Sequence, residues 1–316
     1  MKVVFLGTPD FVVEVPKTLS RAGVSIMQVV TGEAKPTGRE QVLTETPVAL
    51  WAKREGVEVL TPNRWDNDFF EKVRIVWKEV DAVVLAAYGK MIPERFLDLP
   101  KLGFVNLHPS LLPKFRGASP VAGAIVASEE KTGITWMRMD GELDHGPVLK
   151  QEEVIIDKEE TSGELTWRLF KMGARKLQEI LEELASGLLK GKEQDDAKAS
   201  FTRRLKREDG FLPREWIFKA MAGEEVGVEI VPPPLINRKI KITPGLVFNL
   251  VRGLTPWPGV WTEIGGIGKT KRLKIIKASF EATGKLKLIE VQLEGKKQSS
   301  YIQFVQAYGP AVFGGD

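Results

Sequence analysis

Both histidines of the chain, His108 and His145, lie in the stretch 103–147. A neutral imidazole is the side chain best suited to moving protons near neutral pH. His108 stands two residues after Asn106, behind an apolar run that reads as a strand, and the strand period of two puts both side chains on one face. Asp144 follows in a loop bounded by Gly141 and Gly146. The chain has no cysteine and no serine-elbow motif. An amide donor, an imidazole and a carboxylate suit the stabilisation of an oxyanion and the transfer of a proton, without a covalent intermediate. Taken alone, an Asn-x-His at a strand end is more often a capped turn, so the reading depends on what surrounds it.

The elements that must position these groups begin at Lys2. Lys2–Leu6 reads as a buried strand, Gly7-Thr8-Pro9-Asp10 as a turn, and the residues to Arg21 as a helix ended by Gly23. A second strand runs from Val24 to Val30. This opening is doubly wound α/β, but it lacks the G-x-G-x-x-G that cradles a dinucleotide, which disfavours a nicotinamide enzyme. Residues 32–46 form a long loop. Pro47–Gly56 reads as a helix, Val57–Leu60 as a short strand and Asp66–Val80 as an amphipathic helix. The continuous apolar run 81–87 is a central parallel strand. Ligands of such sheets bind at strand carboxyl ends, where both 86–92 and 106–108 fall. Strands are expected at Ile134–Met139 and Val148–Ile155. Thr161 and Glu164 form a capping box before a long helix to about Gly187. Residues 190–209 lose apolar periodicity and read as a solvated linker. Arg203, Arg204, Lys206 and Arg207 in it could meet phosphate, although a solvated charge run is the commoner meaning. Residues 212–245 show little helical signal. Alternating stretches at Leu273–Ala278, Lys285–Val291 and Ser299–Phe304, separated by glycine-rich turns, indicate a small β-barrel.

Composition sets the bounds. At 316 residues, two domains are expected. Without cysteine there is no disulfide, zinc-thiolate site or thiol nucleophile, and two histidines make a metal site unexpected. No apolar run has the length of a membrane span. Met1 leads straight into a strand with no apolar leader, so a cytoplasmic protein is expected. Residues 1–200 carry 27 Lys and Arg against 31 Asp and Glu, and residues 201–316 carry 19 against 11, so the net charge passes from −4 to +8. A basic second half suggests an anionic partner such as nucleic acid; a lysine-rich soluble surface accounts for it equally well.

The extended pattern Asn106-Leu-His108-Pro-Ser110-Leu-Leu-Pro113, then Leu143-Asp144-His145-Gly146-Pro147, resembles the folate-dependent formyltransferases. Thr8-Pro9-Asp10-Phe11, Pro256-Trp257-Pro258-Gly259-Val260-Trp261 and Glu294-Gly295-Lys296-Lys297 resemble the branch that formylates methionyl-tRNA. The resemblance implies a Rossmann-like doubly wound formyltransferase domain over 1–189, a linker over 190–209, and a smaller C-terminal OB-like β-barrel domain over 210–316, with an insertion near 214–242. It implies transfer of a formyl group from 10-formyltetrahydrofolate to the amine of initiator methionyl-tRNA by a monomer needing no metal. Asn106, His108 and Asp144 would be catalytic. The folate would lie against Ala86, Ala87, Tyr88, Gly89, Ile92, Ser110, Leu111, Leu112 and Pro113. Lys35 and Arg39 in the long loop would enter the tRNA acceptor end, with Arg203, Arg204 and Lys206 on phosphates. Two departures stand out: Glu40 and Gln41 replace the family's usual lysines, and His145 replaces a usually small residue. A sugar-nucleotide N-formyltransferase, a glycinamide ribonucleotide formyltransferase or a formyltetrahydrofolate hydrolase could use the same trio. A non-catalytic RNA-binding protein would explain the charge but not the trio.

Overall fold

The computed structural model describes residues 1–38, 40–265 and 270–309. As far as His108 strands and helices interleave, with a hairpin after the second strand: β1 (Lys2–Gly7), α1 (Glu14–Arg21), β2 (Ser25–Val30), β3 (Lys35–Thr37), β4 (Val42–Thr44), α2 (Pro47–Arg54), β5 (Glu58–Leu60), α3 (Asn67–Glu79), β6 (Ala82–Ala86), α4 (Glu94–Leu97) and β7 (Phe104–His108). There follow β8 (Arg116–Gly117), α5 (Pro120–Val126), β9 (Lys131–Arg138), β10 (Val148–Ile155) and α6 (Ser162–Ala185). The remainder holds β11 (Phe201–Thr202), α7 (Arg214–Ala222), β12 (Glu229–Ile230), β13 (Ile240–Lys241), α8 (Pro244–Gly253), β14 (Val260–Ile264), β15 (Lys271–Phe280), β16 (Leu286–Leu293), β17 (Ser299–Ser300) and α9 (Tyr301–Tyr308).

These elements form two compact units. The first comprises residues 1–116, 132–154 and 166–200. Its sheet has the strand order β10-β9-β7-β6-β1-β2-β5. The pairs β1–β2, β1–β6, β6–β7 and β2–β5 are parallel, whereas β9 joins β7 antiparallel. The strands are buried on both faces because their residues alternate between two apolar cores. Val3, Phe5, Val84, Val105 and Leu107 face one core with α1, α2 and α6. Val4, Leu6, Val83, Leu85 and Phe104 face the other with Trp65, Phe69, Trp77 and Phe96. Local chemistry starts the helices. The Thr46 hydroxyl accepts from Ala49 N–H ahead of Pro47, and the Asp66 carboxylate accepts from Phe69 N–H.

The second unit comprises residues 117–131, 155–165 and those from 201 onward. Its antiparallel sheet runs β14-β15-β16-β17, compatible with the smaller barrel-like domain expected. Helix α5 packs on α8. A Cβ on Gly253 would come 2.9 Å from Val126 Cγ2, so the close approach there requires glycine. The Thr161–Glu164 capping box forms in both directions, Glu164 N–H to Thr161 Oγ1 at 3.3 Å and Thr161 N–H to Glu164 Oε2 at 2.9 Å.

Several expectations need correction. The 190–209 stretch is divided between the units at residue 200, and its first part, though largely exposed as expected, is also held through the Gln194 and Asp196 side chains. Against an expected boundary at 189, residues 117–131 and 155–165 belong to the same compact unit as the C-terminal residues. Residues 214–222 are helical despite the weak periodicity: Ile217 and Ala220 are buried and α7 packs on α8 and β16. The strand expected at Ser299–Phe304 stops at Ser300, whose hydroxyl caps α9 with Gln303 in a capping box. The 32–46 loop contains the β3–β4 hairpin.

Candidate active site

Alternation along β7 turns Leu107 into one apolar core and leaves Asn106 and His108 together on the opposite face. Both are almost fully buried, at 6% and 4% exposure. Across β9 they pair with Met137 and Thr135. Asp144 arrives from the loop joining β9 to β10, with its backbone in the left-handed region (φ 48°). One carboxylate oxygen meets both partners: Asp144 Oδ1 lies 3.4 Å from Asn106 Nδ2 and 3.5 Å from His108 Nδ1. The other imidazole nitrogen, Nε2, is 3.2 Å from the Phe115 carbonyl oxygen. A carbonyl can only accept, so this contact places a hydrogen on Nε2. In the neutral ring Nδ1 is then an acceptor facing a second acceptor on Asp144, a geometry that receives one proton between them.

The turn after His108 is rigidly held. Ser110 Oγ donates to the Lys114 carbonyl at 2.6 Å, and Thr135 Oγ1 donates to the Ser110 carbonyl at 2.6 Å. Leu112 N–H and Gln151 Nε2 both donate to Thr135 Oγ1. Phe115, itself left-handed (φ 59°), donates its N–H to Ser200 Oγ. These bonds fix the carbonyl that orients His108.

The trio named from the sequence is therefore brought together. Ala86 ends β6 and Ala87, Tyr88, Gly89 and Ile92 follow it, beside β7, at the same carboxyl edge of the sheet. Ala87 and Gly89 are left-handed (φ 45° and 77°), turning the chain back over that edge. Burial pushes the Tyr88 hydroxyl up to about 12. Ser110 and Leu112 are buried by protein, which leaves Leu111 and Pro113 as the half-open members of that turn. Half-open Ala87 and Leu111, with exposed Met91, give the edge apolar surface suited to a flat heterocycle, and so fit a folate.

The residues expected to meet tRNA divide. Lys35, Arg204 and Lys206 are exposed, and Arg39 lies outside the described residues. Arg203 is committed elsewhere, its guanidinium donating two hydrogen bonds of 2.7 Å to Asp209. Its own pairing, not phosphate, occupies that fork.

His145 has no role legible in the sequence. Its Nδ1 is 2.6 Å from Asp140 Oδ2 and its Nε2 3.5 Å from Asp196 Oδ2. The hydrogen bond to Asp140 raises its pKa above the ordinary value, with further help from the Asp140, Glu142 and Asp196 charges. Arg116, Gln194 and Asp196 were missed altogether as neighbours of the site. Two of them sit in the stretch that reads as linker. Among the described residues no helix is long and apolar enough to cross a membrane.

The profile of the formyl transferase family matches residues 1–181. The methionyl-tRNA formyltransferase of Bacillus mycoides (strain KBAB4) is 35% identical over 334 aligned residues, covering 99% of this chain and 97% of that protein. That of Bacillus anthracis is 36% identical over 333, with the same coverage. Among solved structures, a sugar 3N-formyl transferase crystallised with dTDP and 5-N-formyl-THF superposes with a TM-score of 0.59 at 15% identity, covering 94% of this chain and 99% of that one. Glycinamide ribonucleotide transformylase 1 of Symbiobacterium toebii gives 0.51 at 20% identity over 62% of this chain and 94% of its own. At such identities the solved structures share the fold.

Proposed function

The chain belongs to the formyl transferase family, and from that premise we propose that it moves a formyl group from 10-formyltetrahydrofolate to the amine of methionyl-tRNA, in the cytoplasm where charged tRNA is used. The observation that carries this reading is the likeness to the methionyl-tRNA enzymes across 99% of the chain. It includes the basic half beyond residue 200, which the family profile alone does not reach.

The folate supplies the formyl group; the chain supplies the field and the proton path. Asn106 Nδ2 donates to the formyl oxygen as negative charge develops on it. Removal of one such donor typically costs about 3 to 4 kcal/mol of barrier. The Phe115 carbonyl holds the His108 tautomer, and the facing acceptors His108 Nδ1 and Asp144 Oδ1 take the proton released by the attacking amine. The same pair returns it to the departing folate nitrogen, so the proton count closes without a covalent enzyme intermediate. The 86–92 turn, Leu111 and Pro113 hold the folate beside this trio. Exposed Lys35, Arg204 and Lys206 are the cations offered to tRNA phosphate.

The test supplies 10-formyltetrahydrofolate with either charged initiator tRNA or a dTDP-amino sugar. Formylmethionyl-tRNA should form with the wild type and be lost in Asn106→Ala, His108→Ala and Asp144→Ala proteins that remain folded. Formylation of the amino sugar alone, or near wild-type kcat in any of the three variants, would overturn the reading.

A further inference from the structure

Asp144 reaches Asn106 and His108 from a loop whose backbone is unfavourable at that very residue. Few non-glycine residues adopt the left-handed region, and aspartate does so where its surroundings hold it. The surroundings are specific. Gln194 Nε2 donates to the Asp144 carbonyl at 2.9 Å and to the Gly146 carbonyl at 2.8 Å. One amide nitrogen, with two hydrogens, thus spans the loop on both sides of His145. Its own orientation is dictated from behind. Gln194 Oε1 accepts from Arg116 Nε at 3.1 Å and from Arg116 Nη2 at 2.9 Å. Arginine has no acceptor, so only the carbonyl end of the amide can face it, and the NH2 end must face the loop.

Arg116 is in turn buried and held by several partners. It is 4% exposed, its Nη2 pairs with Asp196 Oδ1 at 2.8 Å, and its backbone N–H donates to the Ser200 carbonyl. On the far side the loop cannot retreat. A Cβ on Gly146 would come 2.0 Å from the Arg138 carbonyl, so the backbone already lies flat against β9. The loop is held between β9 and the Gln194 amide.

We propose that Gln194, oriented by Arg116, is a positioning residue for the transfer reaction. It sets the Asp144 backbone and so the place of the carboxylate between Asn106 and His108. The proposal rests on the catalytic reading of Asp144 given above.

Gln194→Glu separates positioning from mere structure. The new carboxylate keeps the acceptor face toward Arg116 and pairs with it more strongly, but presents an oxygen to two carbonyl oxygens where a donor stood. The melting temperature should stay near that of the wild type. A displacement of about 1 Å at a reacting group costs on the order of 10²-fold in rate, so kcat should fall by about that factor. KM for folate and for methionyl-tRNA should remain within about twofold. Gln194→Met, neutral and similar in length, repeats the measurement should the Glu variant fail to fold. The decisive readout is the pair with Asp144→Asn, in single-turnover conditions. Because Gln194 acts through Asp144, Gln194→Glu should take nothing further from the residual rate of Asp144→Asn. A folded Gln194→Glu with wild-type kcat, beside an inactive Asp144→Asn, overturns the positioning role alone. So does a full further loss in the double variant. Wild-type turnover by Asp144→Asn overturns the role of Asp144 itself, and the positioning of it falls with that.

Discussion

Thr135 carries more of the site than its chemistry announces, and replacing its hydroxyl by a methyl tests how the turn after His108 is held. The side chain is fully buried. Its oxygen accepts from Leu112 N–H at 3.2 Å and from Gln151 Nε2 at 2.9 Å, and donates to the Ser110 carbonyl at 2.6 Å. Thr135→Val preserves shape and removes all three. Gln151 keeps a partner, since its Nε2 also donates to the Leu112 carbonyl at 2.9 Å. The Leu112 N–H does not, and a buried unpaired donor costs about 1 to 3 kcal/mol, with about 1 kcal/mol more for the bond to Ser110. The added methyl recovers less than about 1 kcal/mol of apolar burial. The net expectation is a loss between about 1 and 4 kcal/mol, centred above about 2. Thr135→Ser retains the oxygen and gives up one methyl, a loss of about 1 kcal/mol. Apolar burial alone orders the two variants the other way, with valine the more stable. Urea titration followed by tryptophan fluorescence decides, because Trp136 is the next residue and is fully buried. The midpoint should drop further for valine than for serine at an unchanged m value. If the valine protein matches or exceeds the serine protein, the turn is not held by the Thr135 oxygen and the account of His108 orientation loses its support.

Two further outcomes follow from charges around the site and in the basic half. Asp140, first of all, raises the His145 pKa above the ordinary 6.5 in the folded chain. The stabilisation is therefore complete below the unfolded-state value and disappears as pH climbs through the raised folded value. Melting temperatures of His145→Gln and wild type should differ most at acid pH and converge once the pH has passed the raised folded value; a difference that is the same at every pH refutes the linkage. Affinity for methionyl-tRNA should fall with salt at a log–log slope of roughly −3 if three or four phosphates are met. Arg204→Ala should make that slope shallower, whereas Arg203→Ala, which strips Asp209 of its bidentate partner, should lower the melting temperature and leave the slope alone. The reverse assignment of the two arginines would refute the division read from their contacts.

The parts legible in the sequence are those written in short-range periodicity. Continuous apolar runs in β1 and β6 announce a sheet buried on both faces, and parity along β7 puts Asn106 and His108 on one side. The motif around Asp144 was legible as residue types, but its reach was not. Whether a carboxylate 36 positions after His108 returns to it depends on a left-handed backbone and on who holds that backbone. The holders, Arg116 and Gln194, act through hydrogen bonds spanning 78 positions, and Gln194 spans 50 to Asp144. Periodicity reports apolar burial, and residues 190–200 bury little, so a polar segment sewn down by hydrogen bonds reads the same as one in free solution. Two other misreadings had local signals that were outweighed. Ser300 and Gln303 form a capping box inside a stretch whose residues alternate, and Arg214–Ala222 hides its helix because few of its residues are buried. The site thus combines two levels of specification. Residue type and parity choose the candidate groups, while the backbone of Asp144 is held by a buried arginine and a glutamine whose neighbours in sequence give no hint of it.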